Sequence, residues 1–232
     1  MTGIYRRYVK RLLDIIISLA VITGLSPVYI ITALLVKKKL GSPVLFSQLR
    51  PGYQEKIFRM YKFRSMTDEK DENGNLLPDE IRLTPFGAKL RETSLDELPE
   101  MFNILKGDMS VVGPRPQLVR DIVFMSDEQR KRADTRPGLT GLAQIRGRNA
   151  ISWEEKLAYD LEYLENESFL NDLKIFFGTF AAVFRHDDIN MEGEATALDM
   201  GDYLLRKGEI TKEEYDQKQA EARKLLDEYR KD

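Results

Sequence analysis

Helical spacing interrupted by one hairpin pattern predicts an α+β chain, mainly helical with a small β-hairpin. Three observations carry this prediction. Residues 44–66, "VLFSQLRPGYQEKIFRMYKFRSM", place aromatic and branched residues on both sides of a Pro-Gly turn, which reads as a hairpin. "PFGAKLRE", residues 126–134, the stretch from Trp153 through "EEKLAYDLEYLEN" and residues 169–185 read as helices. Residues 15–36, "IIISLAVITGLSPVYIITALLV", contain no charge, and about 20 such residues suffice for a helix across a ~30 Å apolar layer.

The uncharged segment is basic on both flanks, with Arg6, Arg7, Lys10 and Arg11 before it and Lys37, Lys38 and Lys39 after it. Charge bias of this kind places both ends on the cytoplasmic side. Pro27 removes a helical hydrogen bond near the middle, and the Ser26 hydroxyl can bond a neighbouring carbonyl there. Two structures fit: a kinked helix that spans, and a helix broken at Ser26-Pro27 that dips to mid-bilayer and returns to the same face. A cleavable leader fits poorly, because "KKKLGSP" is not a small-residue cleavage site.

Between the predicted elements, 67–80 is a polar loop. Residues 106–119 read as a turn, a short strand and a Gly-Pro-Arg-Pro loop, and 136–149 as a second loop rich in Gly and Arg. The helix at 169–185 carries Phe176, Phe177, Phe180 and Phe184, a pattern that suits a core helix and a helix lying in a membrane interface equally. The tail reads as two helices turning at Gly208, the second opened by a Thr211–Glu214 capping box. The division expected is 1–40, basic N-terminus and membrane helix; 41–190, catalytic domain; 191–232, a helical appendage whose removal leaves the chemistry intact.

Composition excludes several chemistries. With 42% hydrophobic and 32% charged residues, the 232-residue chain is not disordered as a whole. It has no cysteine, hence no disulfide, thiolate nucleophile or Cys-ligated zinc, and its single His186 supports neither a multi-His metal site nor a Ser-His triad. His186 is read as structural or solvated. No P-loop or dinucleotide fingerprint is present. A net charge of −2, with arginines not interleaved with aromatics, argues against nucleic acid.

The chemistry-bearing stretch is "RETSLDELPE", where Asp96 and Glu97 are adjacent. Two readings compete. Ser94 with Glu97 fits a capping box at the start of an ordinary helix, whose first turn favours acids. Alternatively the two acids are a catalytic pair. Arg115 in "GPRP", Arg136 in "RPG", and Arg146 and Arg148 in "IRGR" all stand in loops where Gly and Pro expose backbone. Each alone suits a surface ion pair; together they suit a phosphate site, since guanidinium forks match phosphate oxygens.

These pieces in one order resemble the bacterial sugar transferases, the small monotopic phosphoglycosyl transferases that start glycan assembly on polyprenyl phosphate. The resemblance covers about residues 5–190. It rests on "RLLDIIISL", "LSPV", "GSPVLFSQLRPG", "IFRMYKFRSM", "LRETSLDELPEMFNILKGDMSVVGPRP", "RPGLTGLAQIRGRN" and "YDLEYLENESFLNDLKI". In "QIRGR" the family has Asn before the Gly, so Arg146 inherits no role. The resemblance implies a re-entrant membrane helix turning at Ser26-Pro27, interfacial helices on the cytoplasmic leaflet and a core facing the cytoplasm of a bacterial inner membrane. It also implies a Mg²⁺-dependent reaction on the pair Asp96-Glu97, with Asp96 as nucleophile and Glu97 as metal ligand. Arg91, Arg115, Arg136 and Arg148 are the expected phosphate-binding residues. The implied partners are a UDP-sugar donor and a polyprenyl phosphate acceptor, undecaprenyl phosphate by the resemblance, with UMP released; homo-oligomerisation is left open. A ternary-complex transfer without a covalent intermediate and a non-catalytic membrane scaffold are the alternatives.

Overall fold

The computed structural model describes residues 2–147, 151–184 and 198–230. Helix α1 (Tyr5–Gly24), whose first turns are of the wider π type, meets α2 (Ser26–Leu40) at a bend of 64°. Leu25 breaks the helix at φ −97°, ψ 13°, and Pro27 sits in the first turn of α2, where its missing N–H costs nothing. Neither helix is long and apolar enough to cross a membrane; the bent pair meets that test together.

This pair packs Ile17, Val21, Ile22, Tyr29, Ala33 and Val36 on apolar cores, yet it also buries polar groups and leaves an apolar face outside. α1 buries Lys10, Asp14 and Ser18, four residues apart, and exposes Tyr8, Leu12, Ile16 and Leu19. α2 buries Thr32 and Val36 while exposing Ile30, Ile31 and Leu34. The outer face of a helix on a water-soluble protein is polar.

Next come β1 (Leu45–Pro51) and β2 (Ile57–Phe63), antiparallel from Leu45 opposite Phe63 to Pro51 opposite Ile57. β2 sends Phe58 and Met60 into the main core with Met101, Ile104, Met109 and Tyr163. Its outer edge is closed by one side chain. Asn103 Oδ1 accepts the Tyr61 N–H at 3.1 Å, and Asn103 Nδ2 donates to the Arg59 carbonyl at 2.7 Å. Helix α3 (Pro85–Glu92) is capped by Thr84, whose hydroxyl accepts from Gly87 N. A 3₁₀ turn, Leu95–Glu97, leads through Pro99 into α4 (Glu100–Lys106).

A second, parallel pair, β3 (Ser110–Val112) with β4 (Gly138–Thr140), lies where the sequence reads a loop at 136–149. It is invisible to strand propensity because glycine makes it possible: a Cβ on Gly138 would lie 2.1 Å from Gly113 N. Helix α1 docks here and on the neighbouring helices. Asp14 accepts from Ser110 Oγ at 3.0 Å and Val111 N at 2.8 Å. Lys10 donates to Tyr163 OH at 2.8 Å and pairs with Asp172, while Arg11 donates to the carbonyls of Ile104 and Leu105 at the end of α4.

The remaining helices are α5 (Val119–Ile122), α6 (Leu142–Arg146), α7 (Trp153–Glu165), α8 (Phe169–Phe184), α9 (Met200–Lys207) and α10 (Lys212–Tyr229), with short helical turns at Asp79–Arg82, where the expected 67–80 loop ends, Asp127–Arg130 and Lys131–Asp134. α8 buries Ile175 and exposes Phe169, Leu170, Leu173 and Phe177, so it is a core helix on one side and an apolar surface on the other. In the tail, Gly208 turns at φ +72° and the Thr211–Glu214 capping box forms in both directions. α9 and α10 are packed on the body: Met200 shares a core with Ile122, Met125, Trp153 and Leu157, and Ala222 with Val119 and Val123. The mainly helical chain with its small antiparallel hairpin agrees with the α+β expectation.

Gly87 shows how tightly α3 is seated. A Cβ there would lie 1.7 Å from the Ser65 carbonyl oxygen. Alanine at a helical glycine ordinarily gains up to about 1 kcal/mol. Here Gly87→Ala is expected to destabilise by about 1–3 kcal/mol through overpacking, read as a lowered Tm in detergent; an unchanged or raised Tm contradicts this packing.

Candidate active site

Asp96 and Glu97 lie in the 3₁₀ turn between α3 and α4. The predicted capping box does not form. Ser94 adopts a left-handed conformation, φ 54°, ψ 17°, and its side chain caps nothing. Glu97 turns the other way. Its Oε1 accepts from Lys62 Nζ and from Arg115 Nη2, each at 2.7 Å, and two cations outbid one backbone N–H. Lys62 Nζ also lies 3.2 Å from Glu100 Oε1. Asp96 and Glu100 are buried, 7% and 1% exposed.

Three carboxylates thus surround two cations. Burial pushes Asp96 up to about 6, the Glu97 charge adds to this, and Lys62, Arg91 and Arg115 only partly oppose it. The expectation that a helix N-terminus keeps Asp96 easily ionised is therefore corrected: the residue precedes α4 in a buried turn, and desolvation outweighs the surrounding cations. Burial would raise Glu97 too, but Arg115 and Lys62 overcome it and hold this carboxyl well below its usual range. Burial and the Glu97 charge raise Glu100, which Lys62 offsets only in part. Lys62 is pushed up, as Glu97 and Glu100 outweigh its own burial.

Arg91 and Arg115 join the carboxylates. Arg91 Nε donates to Ser65 Oγ at 3.0 Å, and its charge acts on Asp96. Arg115 keeps 40% of its side chain exposed, so it faces both Glu97 and an incoming ligand. Arg136 does not join them. Its Nε donates to the Gly107 carbonyl at 2.9 Å, at the other end of α4, and its guanidinium stacks on Tyr53. An open carbonyl at the helix C-terminus holds this arginine away from the carboxylate cluster. Arg148, like His186, lies outside the described residues. Arg146 rests on Tyr159 and pairs with Glu162 at 3.9 Å. Ser26 and Pro27 form the start of α2 at the bend between α1 and α2.

Sequence reasoning missed Lys62 and Glu100. The signal for Lys62 was its phase: on β2 it follows Phe58 and Met60 at a period of two, so a lysine falls on the core-facing side. Glu100 stands three residues after Glu97, one helical step on the same face.

Among the described residues no group of three acidic or histidine side chains forms a metal cage. The donor set still fits Mg²⁺, which takes one or two carboxylates together with substrate phosphates. Both cationic partners of Glu97 fall on Oε1, which leaves Oε2 and the adjacent Asp96 as hard oxygen donors.

The chain belongs to the bacterial sugar transferase family, which matches residues 5–186. It is 47% identical over 188 residues to the "Uncharacterized sugar transferase EpsL" of Bacillus subtilis (strain 168), covering 81% of this chain and 93% of that one. It is 41% identical to the "UDP-glucose:undecaprenyl-phosphate glucose-1-phosphate transferase" of Klebsiella pneumoniae, covering 73% of this chain and 39% of that one. It is 35% identical to the "Undecaprenyl-phosphate galactose phosphotransferase" of Salmonella typhimurium, covering 78% and 41%.

The raised Asp96 has a stability consequence with a definite sign. Its folded value, about 6, exceeds the ordinary 3.8, so its favourable contribution exists at low pH and is lost as pH rises from about 4 through about 6. Above that, the ionised carboxylate costs the fold up to about 3 kcal/mol. Asp96→Asn is expected to raise Tm relative to the parent, by an amount that grows from pH 4 to pH 7. A variant less stable at every pH would refute the burial argument.

Proposed function

We propose that this protein transfers a sugar 1-phosphate from a UDP-sugar to polyprenyl phosphate, undecaprenyl phosphate being the carrier named for its relatives, through a covalent Asp96 phosphosugar intermediate. The observation that carries this reading is a buried, desolvated Asp96 beside a Glu97 clamped by Lys62 and Arg115. A poorly solvated carboxylate is a stronger nucleophile than a hydrated one, and carboxylates form such intermediates with phosphoryl donors. An Asp96 oxygen attacks the sugar-bearing phosphorus. The bond to the bridging oxygen breaks, and its electron pair leaves with UMP. An oxygen of the acceptor phosphate then attacks the same phosphorus, and the Asp96 carboxylate departs. The product is a polyprenyl-diphosphate sugar, the first membrane-bound step of glycoconjugate assembly.

The other residues prepare this centre. Arg115 swings between Glu97 and the donor phosphates, and Arg91, held by Ser65, neutralises charge on the transferring group. Lys62, shared with Glu100, keeps Glu97 in place. Glu97 is the residue that would hold Mg²⁺, and the ion would supply charge neutralisation for the diphosphate.

The lipid acceptor requires a site at a membrane surface. The exposed apolar face of the α1–α2 pair and the exposed apolar side of α8 support an α1–α2 hairpin that enters and leaves by the cytoplasmic face, in the inner membrane of a bacterium. Cysteines replacing Gly3 and Lys38 test this, since the chain has none of its own. Lys38 serves better than Gly41, whose φ of +80° resists a side chain. Both sites should react with an impermeant maleimide only from the cytoplasmic side; labelling from opposite sides would mean a spanning helix.

The reaction is tested by mixing protein, Mg²⁺ and a panel of UDP-sugars without acceptor. The peptide containing Asp96 should gain one sugar phosphate, with a burst of UMP. Asp96→Asn should lose the adduct and at least about a thousandfold in turnover. Because the nucleophile must be ionised, kcat/KM should fall on the acid side with an apparent pKa near 6. UMP appearing only when acceptor is present would favour ternary-complex transfer, and no UMP from any donor would favour a scaffold.

A further inference from the structure

Arg115 reaches Glu97 from a loop, residues 113–118, that is anchored from behind. Arg132 Nη2 donates to the Arg115 carbonyl at 2.6 Å, and Arg50 Nη1 to the Pro116 carbonyl at 3.1 Å. The loop ends at α5, where Asp121 is 2% exposed. One oxygen of Asp121 accepts from Leu118 N, closing the loop, at 2.9 Å. The other accepts from Met200 N, opening the tail, at 3.0 Å. One buried carboxylate therefore fastens the end of the phosphate loop to the start of the C-terminal helices.

The tail makes four further contacts, with α5, with the residues that follow it and with α7. Arg120 forms an ion pair with Asp199, and Trp153 Nε1 donates to the Leu198 carbonyl at 3.1 Å. Gly201 lies against Phe124, where a Cβ would meet the ring at 2.6 Å. Ala222 is buried with Val119 and Val123. All of these tail residues lie beyond residue 186, where the family match ends.

We propose that the C-terminal helices α9 and α10 are a positioning element of the active site: by gripping α5 they hold the 113–118 loop at the setting from which Arg115 reaches Glu97 and the donor phosphate. The proposal rests on the reading of Arg115 as a phosphate ligand. It reverses the expectation that residues 191–232 are dispensable. The tail touches no reacting atom and acts only through the loop. Loosened, the loop would leave Arg115 to pay an ordering entropy each time donor binds, which weakens donor binding more than it slows chemistry.

The test uses the full chain in detergent, with Asp199→Arg, which sets two cations against each other, Gly201→Val, which collides with Phe124, the swap Arg120→Asp/Asp199→Arg, and the outward-facing control Lys218→Ala. Three quantities are read: amide exchange of the peptide spanning 113–119, donor KM against kcat, and Tm. Asp199→Arg and Gly201→Val should speed the exchange and raise donor KM by about tenfold, with kcat within about threefold. The charge swap should restore both to within about twofold of the parent, and the control should change neither. A drop in Tm with unchanged KM means the tail only stabilises and overturns the proposal, as does a raised KM with unaltered exchange. If the parent releases UMP from no donor, the reading of the reaction fails separately. The exchange arm then decides alone: acceleration upholds the grip and unaltered exchange overturns it.

Discussion

A single carboxylate oxygen, Glu97 Oε1, ties three distant pieces of chain together. Lys62 comes from the hairpin, Glu97 from the 3₁₀ turn and Arg115 from the loop after β3. Taken alone, each partner would be a charge half removed from water, an arrangement that costs several kcal/mol per ion. Their mutual neutralisation makes the burial tolerable, and Asp96 is the group left over. It sits among these charges with its own ionisation disfavoured. The same clustering that closes the fold at this point therefore leaves one acid poised at the edge of its titration, a common arrangement where chemistry is done.

Helix α1 is joined to this cluster through short polar links. Asp14 holds Ser110 and Val111 at the base of the strand that runs into the Arg115 loop, and Arg11 caps the end of the helix that begins at Glu100. Leaving either set of buried donors or acceptors unmatched costs about 1–3 kcal/mol per group. The anchoring helix is thus set relative to the carboxylates by hydrogen bonds of fixed direction, where apolar contact alone would let it slide.

Much of this was legible in the sequence, and the illegible parts share a cause. The hairpin, α3, α7, α8, both tail helices and the break at Ser26-Pro27 follow from local signals: periodicity, caps and turn residues. Asp96, Glu97, Arg91 and Arg115 could be selected from loop chemistry and resemblance, and the fold brings these four together. Arg136 could not be told apart from Arg115, because both stand in similar Gly/Pro loops and only the long-range path of the chain directs one to Glu97 and the other to Gly107. Lys62 and Glu100 were overlooked for the same reason: their roles arise where β2 crosses the turn. The capping box at Ser94 failed because a local hydrogen bond lost to two charges brought from 35 residues before and 18 residues after. The tail was read as separate because its composition is polar, whereas the contacts that bind it are a handful of small and buried residues such as Gly201 and Ala222.

The exposed apolar face of α1 bears on how a more hydrophilic form of this protein could be made. Removing α1 would bare the apolar core that Ile17, Val21 and Ile22 cover. It would also uncover the empty sockets of Lys10 and Asp14, at Tyr163, Asp172, Ser110 and Val111, and water would enter between β3 and α8. The economical route to such a form is to repaint the outside while retaining the inside. Tyr8, Leu12, Ile16 and Leu19 can be exchanged for hydrophilic residues, with Lys10, Asp14 and Ser18 left untouched as the keel on which the rest of the hull is laid.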